Sequence, residues 1–125
     1  MNEPNRWNYW IIITVLMALV FAGAGIWFTA AGGFTFAAAI MFVIAVHSAL
    51  AAWMYYRWPQ YANNMSNMTQ FINNTRMVLI WGGFGGVVDL TSPYMLFLLV
   101  LAFAIFCYLS FQSGRRFFQE IRGNS

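Results

Sequence analysis

A run of fifty residues, from Trp7 to Tyr56, contains no Lys, Arg, Asp or Glu. A second charge-poor run extends from Met77 to Gly114 and contains one charged residue, Asp89. Of all 125 residues, 62% are hydrophobic and 7% are charged, whereas a soluble domain is roughly one quarter charged. A chain this short could not bury so much apolar surface in water. The sequence therefore predicts an all-α integral membrane protein.

A helix needs about 20 apolar residues to cross the hydrocarbon core of a bilayer. The first run is long enough for two such helices, with a break at the Gly32-Gly33 pair and a stop before Pro59. We expect its first helix to be retained as a span and not removed as a signal peptide. The second run predicts two more helices, with Ser92 as the N-cap of the last one and Pro93 as its first residue. The predicted spans are residues 9–28, 34–56, 72–90 and 93–111, in two hairpins of a single membrane domain, 1–125.

The third span is shorter than the others, because Met77–Leu90, the part that follows Arg76, has only fourteen residues. A segment of that length is also typical of re-entrant or interfacial helices. Including Ile72–Arg76 brings it to a usable length if the Arg76 side chain extends to the membrane surface.

The positions of the arginines decide between three spans and four. With four spans all six arginines lie on one side, and with three spans they divide equally between the two sides. The positive-inside rule therefore favours four spans in the cytoplasmic (inner) membrane, with both termini in the cytoplasm. Aromatic residues agree, since Trp10 and Tyr55 are expected at the same depth. The basic residues are Arg6, Arg57, Arg76, Arg115, Arg116 and Arg122, and there is no Lys.

Two cytoplasmic segments are predicted to lie near the lipid headgroups. The connection 57–71 carries an apolar stripe at helical spacing and is otherwise rich in Asn. The tail 112–125 combines aromatic residues with Arg115, Arg116 and Arg122, a pattern typical of basic amphipathic helices. In the alternative, the fourth span simply continues as a helix into a solvated tail. The stripe in the connection consists of Tyr61, Met65, Met68 and Ile72.

Small residues recur four positions apart in three of the predicted spans, a spacing that lets two helix backbones approach closely. In the third span the run Gly82–Gly86 could instead break the helix, as in transporters, but close packing is the favoured interpretation. The predicted packing residues are Ala18 and Ala22, Ala45 and Ala49, and Gly82 and Gly86.

Two ionisable residues are candidates for function. His47 lies near the middle of the second span, where a histidine could ligate haem or line an ion path. No second histidine or carboxylate is expected at that depth, so a neutral His47 bonded to another helix is the favoured interpretation. Asp89 could attract cations at an outer mouth, but beside Thr-Ser-Pro it is more typical of a turn.

The sequence carries no pair of catalytic groups, so an enzyme is not predicted. The leading hypothesis is an accessory, assembly or scaffold subunit that packs laterally against other membrane subunits or against its own copies. The alternatives are a small oligomeric channel or transporter lined by His47 or Asp89, and a redox-complex anchor in which His47 binds haem. A single Cys107 predicts neither a disulfide nor a metal site, and the dispersed charge is unlike a nucleic-acid-binding surface.

Overall fold

A computed structural model describes residues 9–87 and 92–123 of the chain, the side chains of 84–87 excepted. Within these ranges the regular elements are all helical, four α-helices and one short 3-10 turn. The chain divides into two compact units, Met1–Ala62 and Asn63–Ser125. Each unit holds two consecutive α-helices, which we call the first hairpin (α1 and α2) and the second hairpin (α3 and α4). The elements are α1 (Tyr9–Gly32), α2 (Phe36–Arg57), the 3-10 turn (Pro59–Tyr61), α3 (Asn67–Val87) and α4 (Pro93–Gly123).

Three of these helices, α1, α2 and α4, are long and apolar enough to cross a membrane. Helix α3 does not belong to this group, because polar residues fill much of its first half. The predicted all-helical architecture is thus confirmed for the described residues, and three of the four predicted spans lie in helices with the length and composition to cross a membrane.

The turn of the first hairpin follows from its sequence. Gly33 has a φ of 82°, in the left-handed region that favours glycine, directly after α1 ends at Gly32. Thr35 then caps α2, and its hydroxyl accepts a hydrogen bond from the Ala38 N–H at 3.3 Å. Helix α2 ends at Arg57, two residues before Pro59. The predicted break at the glycine pair and the predicted stop before the proline are both confirmed.

The helices of the first hairpin run antiparallel and approach each other closely. Near the open end the ring of Trp10 stacks on that of Tyr55, with centroids 5.6 Å apart and an interplanar angle of 27°. This ring pair places the two residues at the same level of the hairpin. Nearer the turn, a Cβ on Gly25 would lie 2.9 Å from the ring of Phe42, so any larger residue here would have to displace this ring from its place against α1.

The second hairpin is joined by residues outside the described ranges, but the start of α4 is as predicted. Helix α4 begins at Pro93, and the Ser92 hydroxyl accepts a hydrogen bond from the Met95 N–H at 3.4 Å. The helix then continues for 31 residues, which corresponds to a length of about 46 Å. This exceeds the hydrocarbon thickness of about 30 Å. Of the two alternatives for the tail, the structure therefore has the continuous helix.

Helix α3 begins earlier than the predicted residue 72. The Ser66 hydroxyl accepts a hydrogen bond from the Thr69 N–H at 3.0 Å, which caps the helix and starts it at Asn67. The apolar stripe of the connection is therefore divided. Met68 and Ile72 are buried residues of α3, whereas Met65 precedes the helix and is 83% exposed.

Candidate functional site

Three pairs of polar side chains join α3 to α4, and we call this set of six residues the polar seam. The Asn67 Nδ2 donates a hydrogen bond to the Glu120 Oε1 at 3.0 Å. The Asn74 Nδ2 donates to the Ser113 Oγ at 3.3 Å, and the Thr75 and Ser110 hydroxyls share a hydrogen bond of 2.6 Å. The Ser113 hydroxyl in turn donates to the Leu109 carbonyl at 2.6 Å. These bonds satisfy side chains that would be costly to bury alone.

The polar seam occupies only the open end of the second hairpin. Its pairs are antiparallel, and the same register continues toward the turn, where a Cβ on Gly82 would lie 3.2 Å from the ring of Phe103. Counting about 20 residues from Pro93 places the end of a membrane-crossing segment near Gln112. The seam therefore begins where the apolar part of α4 ends and extends beyond it.

Arg76 lies at the inner edge of the seam and is half-buried. Its Nη1 donates a hydrogen bond to the Asn73 Oδ1 at 3.2 Å. Asn73 is exposed and lies one turn closer to the open end of the hairpin. The guanidinium thus points away from the apolar part, in the direction required for an arginine that extends toward the membrane surface.

The predicted packing residues differ in their surroundings. Ala45 is buried and Ala18 and Ala22 are half-buried, whereas Ala49 is exposed on α2. Gly82 contacts Phe103, as described above. The packing of Gly86 lies outside the described side chains.

The two ionisable candidates are not brought together. His47 is half-buried in the middle of α2, between the exposed Val46 and the buried Ser48. In the part of the chain that the structure describes, no three or more His, Cys, Asp and Glu side chains are grouped so that they could hold a metal ion. Asp89 lies outside the described residues, so its predicted role as a turn or ion-path residue stays a prediction.

The basic residues have two kinds of surroundings. The guanidinium of Arg57 lies over the ring of Trp58, 5.4 Å from its centroid, in a cation–π contact. Arg115, Arg116 and Arg122 are exposed on the last turns of α4. Arg115 and Arg116 have no ion-pair partner among the described residues. Arg6 lies outside the described residues.

None of the sequence patterns described above predicts the polar seam as a helix–helix contact. Of its members on α3, Asn67 falls in the predicted amphipathic connection 57–71, and Asn74 and Thr75 fall in the predicted third span. A signal was nonetheless present, because Asn67 and Asn74 are seven residues apart and so are Ser113 and Glu120. A spacing of seven places residues on one helix face, so two matching polar stripes indicate a paired surface.

Comparison with known proteins gives no relative for this chain: no family model, no curated protein and no solved structure matches it.

Proposed function

We propose that the chain crosses the cytoplasmic membrane four times, with both termini and all the arginines on the cytoplasmic side. Helices α1, α2 and α4 have the required length and composition. Helix α3 crosses as the partner of α4, which supplies hydrogen bonds to Asn74 and Thr75. Backbone and side-chain polar groups are tolerated at membrane depth when protein groups satisfy them. The direction of the Arg76 side chain fits this topology, because it extends toward the proposed cytoplasmic end.

We further propose that the protein acts as an accessory, assembly or scaffold subunit that packs laterally against other membrane subunits or against its own copies. The observation that carries this proposal is a contrast within the hairpins. Their exposed helix faces are apolar, whereas their polar side chains are in large part hydrogen-bonded within the same hairpin. In the most apolar part of α4 only 6% of the residues are buried. Large side chains point outward from it, including Phe97, which is 66% exposed, and Val100, which is 58% exposed.

The polar side chains of each hairpin are in large part hydrogen-bonded to groups of the same hairpin. Thr14 donates a hydrogen bond to the Trp10 carbonyl at 2.9 Å, and Thr29 donates to the Gly25 carbonyl at 2.8 Å. The polar seam is likewise internal to the second hairpin. What the chain offers to its neighbours at membrane depth is therefore chiefly apolar surface, which suits helix packing better than conduction of ions.

Site-specific photo-crosslinking in intact membranes tests this proposal. A photoreactive amino acid is placed at three outward positions, Val20, Ala49 and Val100, and at the buried Leu99 as a control. We expect at least one outward position, but not Leu99, to form a discrete crosslinked species with a membrane protein or a second copy. If all three outward positions react with lipid alone, the proposal is wrong.

A flux measurement separates this function from the channel alternative. Purified protein in liposomes is expected to leave proton and monovalent-cation permeability at the level of protein-free liposomes. A flux that depends on the protein and is lost in His47→Ala would support the channel and contradict the accessory function.

A further inference from the structure

We propose that the second hairpin holds one anionic phospholipid at a groove where α4 leaves the membrane. The groove has a volume of about 280 Å³ and lies between α3 and α4 beside the polar seam. Its lining consists of Phe71, Ser110, Phe111, Gly114, Arg115 and Phe118. The inference goes beyond the accessory function and depends only on the proposed membrane crossing of α4.

The walls of the groove suit an acyl chain. Three phenylalanine rings line it, and Phe111 and Phe118 are 71% and 50% exposed. Gly114 forms part of the groove, and a Cβ at this position would lie 2.8 Å from the Phe71 ring. The volume is slightly below the range of about 300–1,000 Å³ found for sites that enclose whole small molecules. It therefore fits part of one acyl chain, with the remainder in the bilayer.

The polar groups of the groove suit a phosphate. Two polar residues line the groove, Ser110 and Arg115. The Ser110 hydroxyl already shares a hydrogen bond of 2.6 Å with Thr75, and Arg115 carries the charge of the lining. Arg115 is exposed and has no ion-pair partner among the described residues. Glu120, five residues further along α4, accepts a hydrogen bond from Asn67 and does not line the groove. A guanidinium can form two parallel hydrogen bonds to a phosphodiester, and no acid of the described lining competes for it.

The position of the groove along α4 places Phe111 at the depth of the acyl chains and Arg115 at the depth of the phosphates. Arg115 lies three residues beyond Gln112, and a crossing of about 20 residues from Pro93 ends near that glutamine. Along a helix this distance is about 4.5 Å, so the guanidinium is expected at the level of the phosphates. Phe111 is one turn deeper, at the level where acyl chains begin.

Native mass spectrometry of the purified full-length protein in detergent tests the proposal with phosphatidylglycerol and phosphatidylcholine as probes. We expect wild type to retain one phosphatidylglycerol in preference to phosphatidylcholine. Arg115→Gln is expected to bind it about tenfold more weakly, because the charge-assisted hydrogen bonds to the phosphate are lost. Arg115→Lys, which keeps the charge but cannot form the two parallel hydrogen bonds, should recover only part of the binding.

Arg116→Gln is the matched control. It removes the same charge from the adjacent residue, which is exposed but does not line the groove. We expect it to bind phosphatidylglycerol as wild type does, whereas Phe111→Ala should bind it more weakly. Equal losses in Arg115→Gln and Arg116→Gln would show general surface attraction and overturn the proposal. An absence of preference for the anionic lipid in wild type would also overturn it, and would leave the groove to a partner's helix. Because binding is measured in detergent, neither result depends on the crosslinking that tests the accessory function.

Discussion

In the first hairpin the helices meet through a ring stack at the open end and a glycine beneath a phenylalanine ring. The second hairpin has a similar glycine contact, and three hydrogen-bonded pairs join its helices as well. The first arrangement depends on shape, as in the contact between Gly25 and Phe42. The second depends also on the direction of bonds, as in the pair formed by Thr75 and Ser110. Shape alone suits two helices that are each apolar enough to cross a membrane. The bonds of the polar seam allow a helix that is not, α3, to pack along one that is.

The largest effects are expected at the feature that the two hairpins share, a glycine under a phenylalanine ring. Gly25→Val and Gly114→Val should each lower the free energy of unfolding by about 3 kcal/mol, because the added side chain meets a ring within 3 Å. Gly23→Val is the control, since a Cβ there would meet nothing within 4 Å, and it should change stability by less than about 0.5 kcal/mol. Unfolding by SDS in mixed micelles, followed by circular dichroism, provides the measurement. A loss at Gly23 as large as that at Gly25 would show that the close approach is not what matters.

Replacing a serine by alanine should lower the free energy of unfolding more in the second hairpin than in the first. Ser110→Ala removes the bond to Thr75 and should cost about 1 kcal/mol. Ser48→Ala in α2 should cost less than about 0.5 kcal/mol, because the buried Ser48 hydroxyl has no hydrogen-bond partner among the described residues. The same SDS titration compares the two variants. The proposed difference between the hairpins fails if Ser48→Ala is as costly as Ser110→Ala.

The smallest effect is expected at the outer end of the polar seam. Asn67→Ala breaks the bond to Glu120, but both residues are only half-buried and lie beyond the expected membrane crossing. Water can replace the lost partner, so the cost should be about 0.5 kcal/mol. Gln119→Ala, at an exposed position on α4, serves as the control and should change little. We expect the hydrogen bonds of the seam to contribute more to stability the closer they lie to the membrane. A larger loss of unfolding free energy in Asn67→Ala than in Ser110→Ala would contradict this expectation.

Most helix ends of the described residues could be predicted from the sequence because their causes are local. The pair Gly32-Gly33, the stop before Pro59 and the cap at Ser92 each act within a few residues, and the structure has all three. The start of α3 was predicted at residue 72 and not at Asn67, although a local cap, Ser66, is present. There the polar, Asn-rich composition of the segment before Ile72 indicated an amphipathic connection, 57–71, ahead of the third span.

The candidate sites could be predicted less well, because their causes lie far apart in the sequence. Whether Asn74 is solvated or bonded depends on Ser113, 39 residues further along the chain. Whether Arg115 lies beside a groove depends likewise on the position of Phe71. The spacing of the small residues could be read from the sequence, but which of them are buried could not. Ala45 is buried, while Ala49, four residues away, is exposed.

The central claim is that α3 crosses the bilayer with α4, and single-cysteine labelling tests it most directly. In a Cys107→Ala background, cysteines replace Met65, Ser92 and Gly123 one at a time, and a membrane-impermeant maleimide is applied to intact cells and to inside-out vesicles. We expect Ser92→Cys to react only in intact cells, and Met65→Cys and Gly123→Cys only in vesicles. Reaction of Ser92→Cys from the same side as Met65→Cys would show that α3 does not cross, and would contradict the account.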